Sequence, residues 1–132
     1  MHRLLLVTSN KDSLSLLAST LAAQGGVDLS WAQSGGKALD MIADTAFDLV
    51  VTDERLGDMT GLELAAKLIS INPMINCAAV SSLSPEDFHE ASEGFGLMDQ
   101  LPLQPGKENA DNLLQRLIDI KKLMGRASVK LP

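Results

Sequence analysis

Four polar residues of this 132-residue sequence stand at the ends of short apolar runs, and their side chains are of kinds that hold or transfer charged groups. They are one carboxylate and three hydroxyls: Asp53, Thr8, Ser9 and Ser81. A carboxylate can act as a nucleophile or bind a cation, and a hydroxyl can hydrogen-bond an anionic group. The same side chains could instead cap helices or lie in solvated loops. The elements that position them decide between these uses.

Five segments of the sequence have the character of β-strands. Residues 4–7, 49–51 and 78–80 are continuous apolar runs, which are typical of central parallel strands covered on both faces. Residues 27–31 alternate between apolar and polar side chains, and polar residues interrupt 97–101. These two segments are predicted to be edge strands.

Helical patterns fill the gaps between the predicted strands. Apolar residues recur at three- and four-residue spacing in each gap. Ser34 is a candidate N-cap, Thr60 and Glu63 have the spacing of a capping box, and Ser84-Pro85 places a cap before a proline at the first helical position. Alternation of strand and helix, five times over, predicts a doubly wound, flavodoxin-like α/β fold with a five-stranded parallel sheet in the order 2-1-3-4-5.

This strand order predicts where the chemistry should lie. Right-handed crossovers leave a crevice at the carboxyl ends of strands 1 and 3, where open α/β sheets bind their ligands. Thr8, Ser9, Asp53, Ser81 and the loop 101–105 are therefore expected to meet at one edge of the sheet.

Composition narrows the possible partners. Eleven Lys and Arg against 17 Asp and Glu give a net charge of −6, which disfavours a nucleic-acid or anionic-membrane partner because both require a basic patch. The single cysteine, Cys77, rules out an internal disulfide and is expected to be buried and inert. The apolar run near the N-terminus is too short for a signal peptide or a membrane span. We expect one cytoplasmic domain over residues 1–124, with 125–132 as a C-terminal tail or linker stub.

The segment around Asp53 carries the most specific motif. Residues 48–64 resemble the pattern D-x-V-x-x-D-x-x-[LM]-P-x-M-x-G-x-[ED]-L of bacterial response regulator receiver domains. The matching residues are Asp48, Val50, Asp53, Leu56, Met59, Gly61, Glu63 and Leu64. The resemblance extends, in element order, from residue 4 to about residue 123. It implies that Asp53 is the phosphoacceptor in a two-component phosphorelay, that its partner is a histidine kinase or phosphotransfer protein, and that the domain is otherwise not an enzyme.

The resemblance fails at the positions that hold the metal. Receivers bind Mg²⁺ with an acidic pair after strand 1, and Thr8-Ser9 stand at those positions here. By resemblance the ion would be held by Asp53, by the backbone carbonyl of Arg55 and weakly by Ser9 in place of an acid. Because hydroxyls add no charge, we expect weak Mg²⁺ binding. Asp12 lies too far into the next helix to substitute.

Two further family residues are missing. The lysine that grips the phosphoryl oxygens after strand 5 is replaced by Gln104 or Leu103, and Lys107 is remote. Gln100 stands where many receivers carry a rotating aromatic residue. Ser81, in contrast, matches the hydroxyl that bonds the phosphoryl group and draws in the following loop. Gly57 replaces the usual proline after Asp53 and is expected to loosen that loop.

Two functions within the same class stay open. The chain could be an atypical receiver with weakened, Mg²⁺-dependent phosphorylation of Asp53. Alternatively it could be a phosphorylation-independent pseudo-receiver that acts as a protein-interaction module. In either case the face formed by helix 4, strand 5 and helix 5 is expected to bind a downstream protein or a second copy of the chain.

Two other classes are less consistent with the sequence. The hydroxyl-rich segment 8–13 could cradle a phosphate at a helix N-terminus, as in a flavodoxin-type flavin protein. An aromatic fraction of 3%, with no tyrosine, leaves few side chains to stack on a flavin. A phosphatase that uses Asp-x-Asp is disfavoured because Arg55 occupies the second acidic position.

Overall fold

The computed structural model describes residues 1–130, and a five-stranded parallel sheet forms its centre. The strands are His2–Val7 (β1), Val27–Ala32 (β2), Leu49–Thr52 (β3), Asn76–Val80 (β4) and Leu97–Leu101 (β5). They pair in the order β2-β1-β3-β4-β5. The predicted fold class, strand order and edge strands are confirmed.

Each predicted helix is present. The helices are Ser15–Ala22 (α1), Gly35–Asp44 (α2), Gly61–Ile71 (α3), Pro85–Ala91 (α4) and Lys107–Lys130 (α5), and a single 3₁₀ turn, Lys11–Leu14, precedes α1. Ser34, Thr60 and Ser84 cap their helices as predicted, and Thr60 forms the complete capping box. Helix α5 continues to Lys130, past residue 124, where the sequence analysis ended the domain. Residues 131–132 of the expected tail lie outside the described residues.

Helices cover the sheet on both faces, and strand β1 explains why its sequence is a continuous apolar run. Successive side chains of a strand point to opposite faces. Leu4 and Leu6 accordingly pack with α1 and α5, whereas Leu5 and Val7 pack with α2 and α3. All four side chains are completely buried. None of the helices within residues 1–130 is both long enough and apolar enough to span a membrane.

Burial also explains the behaviour expected of the single cysteine. Cys77 lies in β4 and is 3% exposed. Desolvation by burial raises the pKa of its thiol to about 12, so the reactive thiolate is scarce at neutral pH. This agrees with the prediction that Cys77 is inert.

Candidate functional site

The sheet ladder continues one residue past three of the strands, and this fixes the backbone of the site. The Thr8 N–H donates to the Ala32 carbonyl at 3.0 Å, and the Asp53 N–H donates to the Val7 carbonyl at 2.9 Å. Ser81 is attached in the same way, to Leu101 at 3.0 Å. Thr8, Asp53 and Ser81 therefore lie at the carboxyl edge of the sheet, as predicted.

The carboxylate of Asp53 is held by three hydrogen bonds from uncharged groups. Its Oδ2 accepts from the Thr8 hydroxyl at 2.7 Å and from the Ser13 hydroxyl at 2.5 Å. Its Oδ1 accepts from the Glu54 backbone N–H at 2.8 Å. Within the described residues no lysine or arginine forms an ion pair with this carboxylate.

The two hydroxyls, which we call the hydroxyl pair (Thr8 and Ser13), are themselves positioned by Asn10. The Asn10 carbonyl lies 2.9 Å from the Thr8 oxygen and 2.8 Å from the Ser13 oxygen, and the Asn10 N–H donates to Thr8 at 3.0 Å. Each hydroxyl has one proton, so Asp53 and the Asn10 carbonyl compete for both protons. Thr8 is 1% exposed, which leaves its side chain little room to turn away.

Ser13 is the site residue that the sequence analysis missed. It lies in the segment 8–13, whose hydroxyl content was interpreted only as a possible phosphate cradle. The Asn10 side chain caps the 3₁₀ turn Lys11–Leu14 by accepting from the Asp12 N–H, and this tight turn carries Ser13 back over Asp53. The sequence predicts a helix directly after β1, and such a helix gives no reason to place Ser13 beside Asp53.

The residues assigned to a metal by resemblance form an incomplete set. Ser9 is exposed and makes no hydrogen bond to another described residue, and Asp53 is the only carboxylate among the three assigned residues. Two backbone hydrogen bonds lie on either side of Arg55: Gly61 N–H donates to the Glu54 carbonyl, and Leu56 N–H donates to the Met59 carbonyl. Neither bond uses the carbonyl of Arg55. Across residues 1–130 no three His, Cys, Asp or Glu side chains cluster as metal ligands.

The loop after β5 brings no positive charge to Asp53. Leu103 is 57% exposed, and Gln104 and Lys107 are also exposed. Gln104 has a left-handed backbone with a φ of 51°. The side chains at both candidate lysine positions therefore face solvent.

Ser81 lies at the start of the loop between β4 and α4 and is 7% exposed. Its hydroxyl accepts from the Leu83 N–H at 3.2 Å. It makes no hydrogen bond to Asp53 among the described contacts. The structure thus brings Ser81 to the predicted edge with its hydroxyl engaged in shaping its own loop.

Glu54 turns away from the hydroxyl pair and binds the loop between β4 and α4. Its Oε2 accepts from the Ser82 N–H at 2.7 Å, and the Ser82 hydroxyl lies 2.9 Å and 3.1 Å from its two oxygens. The bond from the Ser82 N–H is the largest cause that lowers the pKa of Glu54, and the hydroxyls of Ser82 and Ser81 act in the same direction.

The loop between β3 and α3, which contains Gly57 in place of the usual proline, is hydrogen-bonded to a neighbouring helix. Asp58 accepts from the Gly35 N–H at 3.0 Å and from the Gly36 N–H at 2.9 Å, which ties the loop to the start of α2. These bonds, with Gly36 the larger cause, lower the pKa of Asp58. An isolated antiparallel bridge joins Arg55 to Thr60.

Removal of either hydroxyl group that donates to Asp53 should destabilise the protein. We expect Thr8→Val to lower the free energy of unfolding by about 1–3 kcal/mol, because a buried donor to a charged group is lost. Ser13→Ala should cost about 0.5–1.5 kcal/mol, because Ser13 is only partly buried. Urea unfolding measures both changes.

The control for this experiment is Ser9→Ala, which removes an exposed hydroxyl that makes no hydrogen bond within the described part of the chain. Its effect should stay within about 0.5 kcal/mol of zero. Equal effects of Ser9→Ala and Thr8→Val would contradict the role of the hydroxyl pair.

Comparison with known proteins gives consistent results. A family model described as the response regulator receiver domain matches residues 4–118. A response regulator receiver protein of Anaeromyxobacter sp. (strain Fw109-5) is 34% identical over 102 residues, which are 77% of this chain and 42% of that protein. The transcriptional regulatory protein ZraR of Escherichia coli (strain K12) is 26% identical over 97 residues, 74% of this chain and 22% of that protein. The chain thus spans less than half the length of these relatives.

Solved structures share the fold. A CheY-like response regulator receiver domain protein from Methanospirillum hungatei JF-1 has a TM-score of 0.80 with 21% identity, covering 92% of this chain and 98% of that one. At this identity the likeness concerns the fold alone.

Proposed function

Because the chain belongs to the response regulator receiver domain family of two-component signalling, we propose that Asp53 is its phosphoacceptor and that phosphorylation is slow. The observation that carries the proposal is the set of partners of Asp53. The carboxylate lies at the carboxyl edge of the sheet, where it meets the neutral hydroxyl pair and forms no ion pair with a cationic side chain of the described residues. This arrangement supports a carboxylate nucleophile whose neighbours neutralise the incoming phosphoryl group only weakly.

The reaction joins one carboxylate oxygen of Asp53 to phosphorus while the bond from phosphorus to the donor breaks. The departing group, a histidine side chain or the acetate of acetyl phosphate, keeps the electron pair. If Oδ2 attacks, it must first lose the bonds from Thr8 and Ser13. These hydroxyls can then donate to the phosphoryl oxygens, but as neutral donors they stabilise the added negative charge less than a cation does.

Receivers generally use Mg²⁺, which neutralises charge on the phosphoryl oxygens. In this chain the ion would be held by Asp53, the backbone carbonyl of Arg55 and Ser9. One carboxylate among these ligands favours weak binding, because carboxylate charge sets the affinity for hard cations. The hydroxyl pair also competes with the ion for Oδ2 of Asp53.

A second candidate function is the phosphorylation-independent pseudo-receiver. The three hydrogen bonds that satisfy the Asp53 carboxylate without any ligand favour it. In this case the domain acts through protein contacts alone. Family partners are histidine kinases or phosphotransfer proteins, and we propose the face formed by α4, β5 and α5 as the surface for a downstream protein or a second copy.

Intact mass separates the two functions. The protein is incubated with acetyl phosphate and Mg²⁺, and phosphorylated protein is followed over time. The phosphoacceptor proposal expects slow and incomplete labelling. No labelling after prolonged incubation, with an ordinary receiver labelled in parallel, would leave the pseudo-receiver in its place.

A further inference from the structure

The loop between β4 and α4 is attached to the site by two side chains from neighbouring strands. Glu54, which follows β3, binds Ser82. Gln100, in β5, donates from its Nε2 to the Leu83 carbonyl at 2.8 Å. The loop is thus held from both sides, and neither contact involves Asp53.

The contact made by Glu54 has the chemistry of an anion site. The Ser82 N–H and hydroxyl both point at one carboxylate, at 2.7 Å and 2.9 Å from the same oxygen. Hydrogen bonds to an ionised acceptor are stronger than bonds between neutral groups. A phosphoryl group on the adjacent Asp53 would be a second anion next to the same donors. The Ser82 N–H and hydroxyl, however, already donate to Glu54.

Gln100 makes the second contact. It stands at the position where many receivers carry a rotating aromatic side chain. Its Nε2 donates to the backbone carbonyl of Leu83, which ties the side chain to the loop itself. Leu83 is also held through its N–H, which donates to the Ser81 hydroxyl. Three consecutive residues, 81–83, are therefore bonded in the absence of any ligand.

We propose that Glu54 and Gln100 are positioning residues that hold the loop between β4 and α4 against the site through an internal anion, so that its position does not depend on phosphorylation of Asp53. This inference rests on the proposed function, because it concerns how that site is coupled to the α4 surface. Glu54 supplies the negative charge, and Gln100 restrains the next residue of the loop.

Amide hydrogen exchange, measured residue by residue by NMR, tests the proposal on the full chain. Glu54→Ala should increase the exchange rate of the Ser82 amide on the order of tenfold, which corresponds to the loss of one charge-assisted hydrogen bond. The Ser81 amide is an internal reference, because it is bonded to Leu101 in the sheet and should not change. Glu54→Gln has the same shape without the charge and should give an intermediate increase.

Two further variants complete the test. Glu93→Ala removes an exposed carboxylate that forms no side-chain hydrogen bond or ion pair with another described residue, and it should leave the Ser82 amide unchanged. Asp53→Asn should also leave it protected. The proposal is overturned if Glu54→Ala behaves like Glu93→Ala, if Glu54→Gln behaves like the unmodified protein, or if Asp53→Asn alone releases the loop. Protected Ser82 in a protein that acetyl phosphate never labels would remove the phosphoacceptor function and keep this inference.

Discussion

Asp53→Asn is expected to abolish labelling by acetyl phosphate, and the triple variant Thr8→Asp, Ser9→Asp, Gln104→Lys is expected to accelerate it. The asparagine removes the carboxylate that directly follows the central strand β3 at this edge of the sheet. The triple variant restores the acidic pair and the lysine. Because a single well-placed electrostatic partner changes transfer rates on the order of a hundredfold, we expect at least that increase, measured as the initial rate of mass change.

We expect this acceleration to depend on metal. Thr8 lies 2.7 Å from Oδ2 of Asp53 and is almost completely buried, so an aspartate there faces a second carboxylate at close range. Without a cation the two repel each other, and the triple variant should unfold at a lower urea concentration than the unmodified protein. Added Mg²⁺ should restore its stability.

A control with the same shapes and no added charge is Thr8→Asn, Ser9→Asn, Gln104→Met. It should be labelled no faster than the unmodified protein, and added Mg²⁺ should not raise its stability against urea. Labelling that persists in Asp53→Asn would contradict the site assignment. Fast and complete labelling of the unmodified protein, or Mg²⁺ binding at sub-millimolar concentration, would contradict the account of why the reaction is slow.

Gly61→Ala is expected to give the largest loss of stability per atom added. A β-carbon at this position would overlap the carbonyl oxygen of Asp53 and would lie 3.0 Å from Cγ2 of Thr52. Both neighbours are fixed by the sheet, so the start of α3 would have to move. Overpacking of this kind costs about 1–3 kcal/mol, measured by urea unfolding. Because the overlap is with the backbone of Asp53 itself, any labelling by acetyl phosphate should also slow.

Gly36→Ala is the matched substitution at the start of α2. Its added β-carbon would lie in ordinary contact, 3.4 Å from Oδ2 of Asp58. Alanine favours a helix over glycine, so the effect should lie between zero and about 1 kcal/mol of stabilisation. A similar outcome for Gly61→Ala and Gly36→Ala would show that helix propensity, rather than the approach to Asp53, determines the effect.

The fold could be predicted because period and burial agree along the whole chain. The continuous apolar run at 4–7 has one structural solution, a strand with helices on both faces, and the interrupted run at 97–101 suits an edge. Helix caps followed from local chemistry at Ser34, Thr60 and Ser84. The end of α5 could not be placed, because helical periodicity in the sequence weakens after Met124 whereas the backbone remains helical to Lys130.

The site could be predicted only in part. The strands determine where the backbone of each site residue lies, whereas the hydrogen-bond partners of the side chains depend on the conformation of the loops. Strand ends placed Asp53, Thr8 and Ser81 correctly. Ser13 was missed because its position depends on a 3₁₀ turn capped by Asn10, and the spacing of apolar residues does not distinguish that turn from the beginning of α1. The partner of Glu54 was missed for a similar reason, since the contact with Ser82 depends on how two separate loops face each other.

The backbone conformation at Gly57 limits which residues can be substituted at this position. Its φ is +86°, whereas proline requires a φ near −65°, so the family proline cannot simply be put back. A return to proline would require a different path for residues 56–58. Gly57→Pro is therefore expected to strain the two hydrogen bonds that Asp58 accepts from Gly35 and Gly36. The positive φ of Gly57 and the hydrogen bonds of Asp58 thus belong to one loop conformation, and a substitution at position 57 is expected to act on the start of α2 as well.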